Sequence, residues 1–578
     1  MRHSIRPLSL LLAIATLPSP AARADTKPTP GSPRPNIIFL LTDDQDMAIA
    51  GPEVMPNLDR LVRKQGAELE DFYVQLSECC PSRATILTGL PNHETKIYHN
   101  GINDAGGRQG RSYYGGFPFF AFQGLEKDTL GTRFQDGGYF TAFVGTKYLN
   151  QYPFVLPDGP NGERVRDNAY VPPGWSYWSV MAAGMSPEGF DQRFISKIED
   201  GETVYDPPGT FPKNPPSHSN FVEDVLFRKS VEALELALAR KKPFFLHLSV
   251  LAPHHPSPVA PRHADCLKQG WKAPRTPNFD EPDLRDKASP QQVPRMKAST
   301  ILATDEEFAK RLCSMKAIDD GIATLIAKLE ASGQLANTYF IFNSDNGFHL
   351  GNHRFRTGKR MPYEEDIRVP FIARGPGIAA GTSLPGLASN GDIARTLLDL
   401  ADLEPAPFME GRSFERDLLG RGSALASRQA LILERTETAV PPGFPNSTNG
   451  ECAVHPPYTY KSRRDHADAR RDHLGLRTRR FTYVRWCEGE IELYDNEADP
   501  FQVESLVSRP ARRPRDRPYQ PPKKVNPAFL EELEARLQAL RSCKGAAACA
   551  ALEDAPFVAA PYLQGPPAPP GERKVRAP

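Results

Sequence analysis

The chain has 578 residues, with 71 lysines and arginines against 70 aspartates and glutamates. That length suits one large α/β domain with a smaller companion. The near-zero charge excludes a global basic field of the kind that binds nucleic acid, so an anionic ligand needs a local cluster of positive groups.

The N-terminus has the pattern of an export signal. Arg2 and Arg6 are followed by an apolar run from Leu8 to Leu17 and the small-x-small triplet Ala22-Arg23-Ala24. The run is too short to span a bilayer, and no later segment reads as an integral membrane helix. Residues 1–24 are therefore read as a signal peptide, 25–34 as a Pro-rich spacer, and the mature chain as secreted or periplasmic. Export places the eight cysteines in an oxidising compartment. Spacing suggests the pairs Cys543–Cys549, Cys452–Cys487 and Cys266–Cys313, and leaves connectivity open.

Asn36–Thr42 is a short continuous apolar run that predicts a strand buried on both faces. Similar runs recur at Phe140–Val144, Pro243–Val250, Thr338–Asn343 and Val369–Ala373. Helical periodicity lies between them, at Met55–Leu69, Val222–Arg240, Glu306–Ser332 and Asp392–Leu403. Alternation of this kind predicts an α/β domain over 35–405, with a mostly parallel sheet flanked by helices. A smaller C-terminal α+β subdomain is expected over 406–553. Arg480–Trp486 and Glu490–Tyr494 read as a hairpin, and Arg509–Lys524 as a linker. Asn526-Pro527 opens a helix whose apolar face is Phe529, Leu530, Leu533, Leu537 and Leu540. Residues 554–578 read as a disordered Pro-rich tail.

Asp43 and Asp44 follow the first strand, and Asp345 and Asn346 follow the strand over Thr338–Asn343. The carboxyl ends of strands in an open parallel sheet line the ligand crevice. Two such pairs meeting there supply hard oxygens without thiolate or imidazole, a set that suits Ca²⁺ or Mg²⁺ rather than Zn²⁺. A third feature is Cys79-Cys80-Pro81-Ser82-Arg83, running on to Leu87-Thr88-Gly89. Pro81 and Ser82 start a helix and Gly89 stops it, which puts Cys79 at a helix N-terminus. From the residues alone this is either a reactive, low-pKa thiol or a vicinal disulfide.

The segment matches the pattern C-x-P-S-R-x-x-x-L-T-G at every fixed position, and on it the chain resembles the formylglycine-dependent sulfatases. Further segments agree in order: Thr42–Asp46, Lys147-Tyr148-Leu149-Asn150, Ala252-Pro253-His254, Ser344-Asp345-Asn346-Gly347, and Gly358-Lys359 with Tyr363-Glu364 and Arg368-Val369-Pro370. The combination most resembles the branch acting on 6-sulfated glucosamine units of glycosaminoglycans. The resemblance implies an alkaline-phosphatase-like fold and a sulfuric ester hydrolase whose Cys79 is converted to formylglycine by a separate maturation enzyme. It implies a Ca²⁺ site made of Asp43, Asp44, Asp345, Asn346 and residue 79. It also implies that Arg83 bonds the formylglycine hydrate, that Lys147 and Lys359 hold sulfate oxygens, and that His254 protonates the leaving alcohol.

One departure stands out. Leu149 occupies the place of a histidine present in many arylsulfatases, and Asn150, His255, His349 and His353 are candidates to replace it. The sugar is expected on the loops Tyr170–Ser179 and His349–Arg356 and near Asn446–His455, with Trp175, Tyr177 and Trp178 as ring-stacking surfaces. The alternatives are an arylsulfatase, a phosphonate or phosphodiester hydrolase on the same fold, and an inactive protein that binds sulfated carbohydrate.

Overall fold

The computed structural model describes residues 34–435, 472–507 and 525–562, apart from 99, 101–114, 150–153, 157–164, 168–169, 184–185, 199–200, 202, 207–209, 214–219, 289–292, 487–488 and 560–561. The signal peptide, Asn150, the Cys452–Cys487 pairing, the 446–455 loop and the 509–524 linker lie outside the described residues.

A ten-stranded sheet forms the body. Its spatial order is Thr382–Ser389, Ala67–Tyr73, Phe371–Arg374, Thr338–Ser344, Asn36–Asp43, Phe244–Pro253, Phe140–Gly145, Tyr177–Ala183, Arg193–Ile198 and Val204–Tyr205. The central strands pair in parallel, from Thr338–Ser344 across to Tyr177–Ala183. Antiparallel pairings flank them on both sides, and the outer pair Thr382–Ser389 and Ala67–Tyr73 is parallel again, so parallel pairings predominate in a mixed sheet, as expected. The unbroken apolar run Ile37–Leu41 within this strand Asn36–Asp43 has a direct cause. Ile37, Phe39 and Leu41 join the core on one face, and Ile38 and Leu40 join the core on the other. With alternate side chains pointing to opposite faces and both faces covered, apolar residues fill the strand's middle, and polar ones are confined to its ends.

The first face is covered by helices that include Cys79–Thr88, Leu130–Asp136 and Ile393–Leu400. The second is covered by Val222–Ala239 and by the long helix Ala298–Ala331. A disulfide joins Cys266 to Cys313 on that long helix.

The helix expected over Met55–Leu69 is corrected. It runs only from Pro56 to Leu61, followed by a short 3-10 turn over Arg63–Gln65 and then the strand Ala67–Tyr73. Gly66 takes φ −153° and ψ −145° at the break. It packs so closely on the Ala373 carbonyl that a β-carbon there would lie 2.0 Å from the oxygen.

C-terminally, Ala430–Arg435, His473–Thr478, Phe481–Trp486 and Ile491–Asp495 form a four-stranded antiparallel sheet that contains the expected hairpin. The helix Pro527–Ser542 covers it through Phe529, Leu533, Leu537 and Leu540. The Asn526 side chain caps that helix by accepting from Ala528 N at 3.1 Å. Phe557 and Tyr562, inside the stretch read as a tail, also pack on this cluster. The Cys543–Cys549 disulfide is formed.

Candidate active site

Asn36–Asp43 and Thr338–Ser344 run parallel with Thr42 opposite Ser344, so their carboxyl ends coincide. Asp43 closes the first strand. Asp44 then turns the chain with φ 70° and donates its N–H to Asp345 Oδ1 at 3.0 Å. Asn346 Nδ2 donates to Asp44 Oδ1 at 2.7 Å. All four residues are buried. The helix Cys79–Thr88 presents its first residue to them, and the Cys79 sulfur lies 3.3 Å from Asp43 Oδ1. Ligand atoms of Asp43, Asp44, Cys79 and Asp345 all fall within 4.8 Å of one another. The helix stops at Gly89, whose φ of 66° favours glycine and whose N–H bonds Thr85 O.

Positive groups surround this cluster. Arg83, one turn along the same helix, bonds Asp345 Oδ2 at 2.8 Å through Nε and lies 3.2 Å from Asp43 Oδ2. Its Nη1 donates to Lys147 O and to Ser249 Oγ, which fixes the fork from behind. Lys147 Nζ is 2.9 Å from Asp43 Oδ2. Lys359 Nζ is 2.6 Å from the Cys79 sulfur, pairs with Asp44 Oδ1, and lies 3.4 Å from Asn346 Oδ1. His254 donates from Nδ1 to the His255 carbonyl at 2.6 Å, which leaves Nε2 facing the cluster 3.8 Å from Asp44 Oδ2. Asp43, Asp44, Cys79, Arg83, Lys147, His254, Asp345, Asn346 and Lys359 are therefore in one place.

The electrostatics follow from burial and charge. Burial pushes Asp43 up, but Lys147, His254, Arg83 and Lys359 outweigh it and hold the carboxylate well below its usual range. Asp44 is also lowered, with Lys359 as the chief counterweight to its burial. Asp345 goes the other way: burial and then Asp43 push it up against the pull of Arg83. Burial opposes the charged form of Lys359, yet Asp44 keeps this ammonium well above its usual range. Cys79 is pushed well up by burial and then by Asp43. That corrects the reading of a low-pKa thiol. Cys79 and Cys80 also carry no disulfide, which corrects the vicinal alternative.

The residues considered as replacements at the Leu149 position separate cleanly. Leu149 itself is buried in the core. His353 is enclosed, bonding Glu281 Oε2 at 2.7 Å. The His349 ring is tied to Asp366 at 2.9 Å. His255 is exposed, with Glu307 3.7 Å away. Only His254 of these histidines faces the carboxylate cluster among the described contacts. The expected stacking surface is also corrected. Trp175, Tyr177 and Trp178 are buried, and the two tryptophans pack with Phe143 and Tyr148 in the core.

Two contributors escaped the sequence reading. Ser249 accepts from Arg83 and itself donates to Lys147 O. Arg311, fully buried on the long helix, donates to Asp44 O and Asp46 Oδ2 and lies 3.4 Å from Pro253 O, so it braces the turns that carry Asp44 and His254. An arginine set among Phe308, Leu312 and Met315 on a core-facing helix was the available signal.

Residues 35–403 match the family model described as Sulfatase. The chain is 29% identical over 528 residues to human N-acetylglucosamine-6-sulfatase, covering 89% of this chain and 86% of that protein. It is 32% identical over 394 residues to a putative extracellular sulfatase Sulf-1 homolog of Caenorhabditis elegans, covering 65% of this chain and 48% of the relative, so it spans about half that protein's length. A solved structure of a protein with its substrate D-glucosamine-2-N,6-O-disulfate superposes with a TM-score of 0.58 at 23% identity, over 82% of this chain and 93% of that one. A phosphonate monoester hydrolase from Silicibacter pomeroyi superposes with a TM-score of 0.58 at 18% identity, over 87% and 94%. These two structures share the fold.

Proposed function

The chain belongs to the sulfatase family of sulfuric ester hydrolases, and from that premise we propose that it removes a 6-O-sulfate from a glucosamine-type unit of a glycosaminoglycan sugar. The observation that carries the reading is the convergence of Lys147, Lys359 and His254 on the carboxylate cluster beside residue 79, with Arg83 bracing that cluster. Such a ring of donors suits one tetrahedral anion. The substrate class rests on the likeness to N-acetylglucosamine-6-sulfatase over 89% of the chain.

The residues fit a divalent cation. Asp43, Asp44 and Asp345 are buried carboxylates, and the amide oxygen of Asn346 adds a fourth hard donor. Burial and then the neighbouring Asp43 raise Asp345, and a Ca²⁺ or Mg²⁺ ion at this place would favour its charged form. When bound, Ca²⁺ supplies Lewis-acid and template chemistry at the sulfate. Cys79, converted to formylglycine by a separate maturation enzyme, supplies a hydrated aldehyde as the nucleophile.

The chain's own side chains then divide the remaining work. Lys147 and Lys359 hold sulfate oxygens and meet the charge that develops on them. Arg83 is committed to Asp345 and Asp43, so it fixes the helix that carries residue 79 against the strand ends. His254 presents Nε2 to the leaving oxygen, and its Nδ1 bond to the His255 carbonyl sets the ring orientation. Burial and Lys147 hold this imidazole below its usual range. An anionic ester beside it acts in the opposite direction and favours the protonated form that a general acid needs.

Two disulfides support export to an oxidising compartment, as the leader pattern implies. Among the described residues no helix is long and apolar enough to cross a membrane.

The test is turnover of defined saccharides by the matured protein, with a chromogenic aryl sulfate and a phosphonate monoester as comparators. Release of sulfate from 6-O-sulfated glucosamine units at the highest kcat/KM supports the proposal. Preference for the phosphonate ester overturns it. Binding of sulfated sugar without turnover, in protein shown to carry formylglycine, also overturns it.

A further inference from the structure

Lys359 reaches the Cys79 sulfur from a loop that follows the two-residue strand Thr357–Gly358, 280 positions away in sequence. A lysine stem is long and flexible, so its ammonium stays on residue 79 only if the loop backbone is held. The residues immediately before Cys79 hold it. Arg360 N donates to Ser77 Oγ at 3.1 Å, and Ser77 Oγ donates to Met361 O at 3.3 Å. The Arg360 guanidinium pairs with Glu78 Oε1 at 2.9 Å, and Glu78 is fully buried. Glu78 is the residue before the nucleophile, and Arg360 is the residue after the lysine. Arg360 also has φ 83°, a left-handed conformation that a non-glycine residue keeps only when its surroundings hold it. On the loop's far side, Met361 N donates to Asp366 Oδ2 at 2.8 Å, the carboxylate that also takes the His349 ring.

We propose that Ser77 and the Glu78–Arg360 ion pair are positioning residues that lock the Lys359 loop onto the residue preceding the nucleophile and so hold the Lys359 ammonium at residue 79. The inference rests on the reading of Cys79 and Lys359 as catalytic. It adds a reason why the lysine is in register and assigns roles to three residues outside the signature.

The test compares full-length, matured wild type with Ser77→Ala, Glu78→Gln, Arg360→Gln, Arg360→Lys and the double variant Glu78→Gln/Arg360→Gln. Formylglycine content is measured by peptide mass spectrometry, and rates are expressed per formylglycine. Glu78→Gln and Arg360→Gln should lower kcat about tenfold or more while KM moves less than about twofold, since displacement of a catalytic group by about 1 Å costs up to ~100-fold. Arg360→Lys should recover part of the loss. The double variant should be no worse than the poorer single, the mark of two residues acting as one unit. If Arg360→Gln fails to fold because it strands a buried carboxylate, the double variant removes both charges and carries the test. Crystal structures in a Cys79→Ala background should show the 358–361 loop displaced and the lysine withdrawn from residue 79. Wild-type kcat in the folded variants with the loop in place overturns the inference, as does a kcat loss that only parallels a fall in Tm. Wild type without sulfatase turnover, or a Lys359→Ala variant as active as wild type, instead overturns the reading of the site, and this inference with it.

Discussion

Cys79 and Cys80 start the same helix, and both are buried, but their surroundings differ completely. Cys79 meets Asp43 and Lys359, whereas Cys80 packs in the apolar core with Ala84 and Ile86. Adjacent helical residues point about 100° apart, so only one of them can face the carboxylates. Cys79→Ala should therefore abolish turnover and leave the fold in place. Cys80→Ala should keep substantial turnover and lose about 1–2 kcal/mol of stability, the usual range for trimming a buried side chain. Peptide mass spectrometry with a hydrazine trap should find an aldehyde at position 79 and an intact thiol at 80. An active preparation whose Cys79 thiol is intact would falsify the proposed nucleophile.

At the scale of elements, what could be read from the chain was whatever local chemistry imposes. The five buried runs became strands because a sheet covered on both faces takes mostly apolar residues at their positions. Asp43, Asp44, Asp345 and Asn346 were legible because two such pairs follow strands with matching ends, although either pair alone also reads as a turn. Tertiary context decided the rest. Leu69 continues a helical spacing, yet close approach of Gly66 to Ala373 turns the chain into a strand there. Trp175, Tyr177 and Trp178 have the composition of a sugar platform, and only the packing of Phe143 and Tyr148 shows that they are core. Ser249 acts through the Lys147 carbonyl, which leaves no sequence pattern, and Arg311 shows in the sequence only as an arginine set among Phe308, Leu312 and Met315.

The element that carries His254 adds a pH dependence. Glu223, at the start of the helix Val222–Ala239, accepts from Ala252 N at 2.9 Å, two residues before His254. Burial raises this carboxyl to about 8, against an ordinary value of 4.5, despite the Ala252 bond. Between those values the folded protein binds a proton that the unfolded chain has released, so stability falls as pH rises through the window. For one group the slope is about 1.4 kcal/mol per pH unit. Glu223→Gln keeps a neutral amide in place of the protonated acid and should flatten that part of the profile. Chemical unfolding from about pH 5 to about pH 8 measures it, and equal slopes in wild type and variant would rule out a protonated Glu223.

Buried charge gathers at one seam, where strand ends from positions 43 and 345 meet a helix from 79 and loops from 147, 254 and 359. The C-terminal sheet closes on the same body: Glu434 on the strand Ala430–Arg435 bonds the His93 ring at 3.0 Å, and Arg428 pairs with Asp392 and Glu553. A body assembled around buried carboxylates should respond as a unit to an ion bound by them. Ligand bound only by the folded state adds RT ln(1 + [L]/Kd), about 2.7 kcal/mol at 100-fold over Kd. Ca²⁺ should therefore raise Tm by a few degrees, and dialysis against a strong chelator should lower Tm and remove turnover together. Adding Ca²⁺ should restore both. Asp345→Ala takes a carboxylate out of the cluster and breaks its bonds to Arg83 and to Asp44 N. That variant should lose turnover and also lose the Ca²⁺-dependent shift in Tm, which separates loss of the ion from damage to the fold. Full turnover after exhaustive chelation, or a Tm indifferent to Ca²⁺ in wild type, would remove the divalent ion from the proposed site, and a tetrahedral Zn²⁺ found there would reassign it.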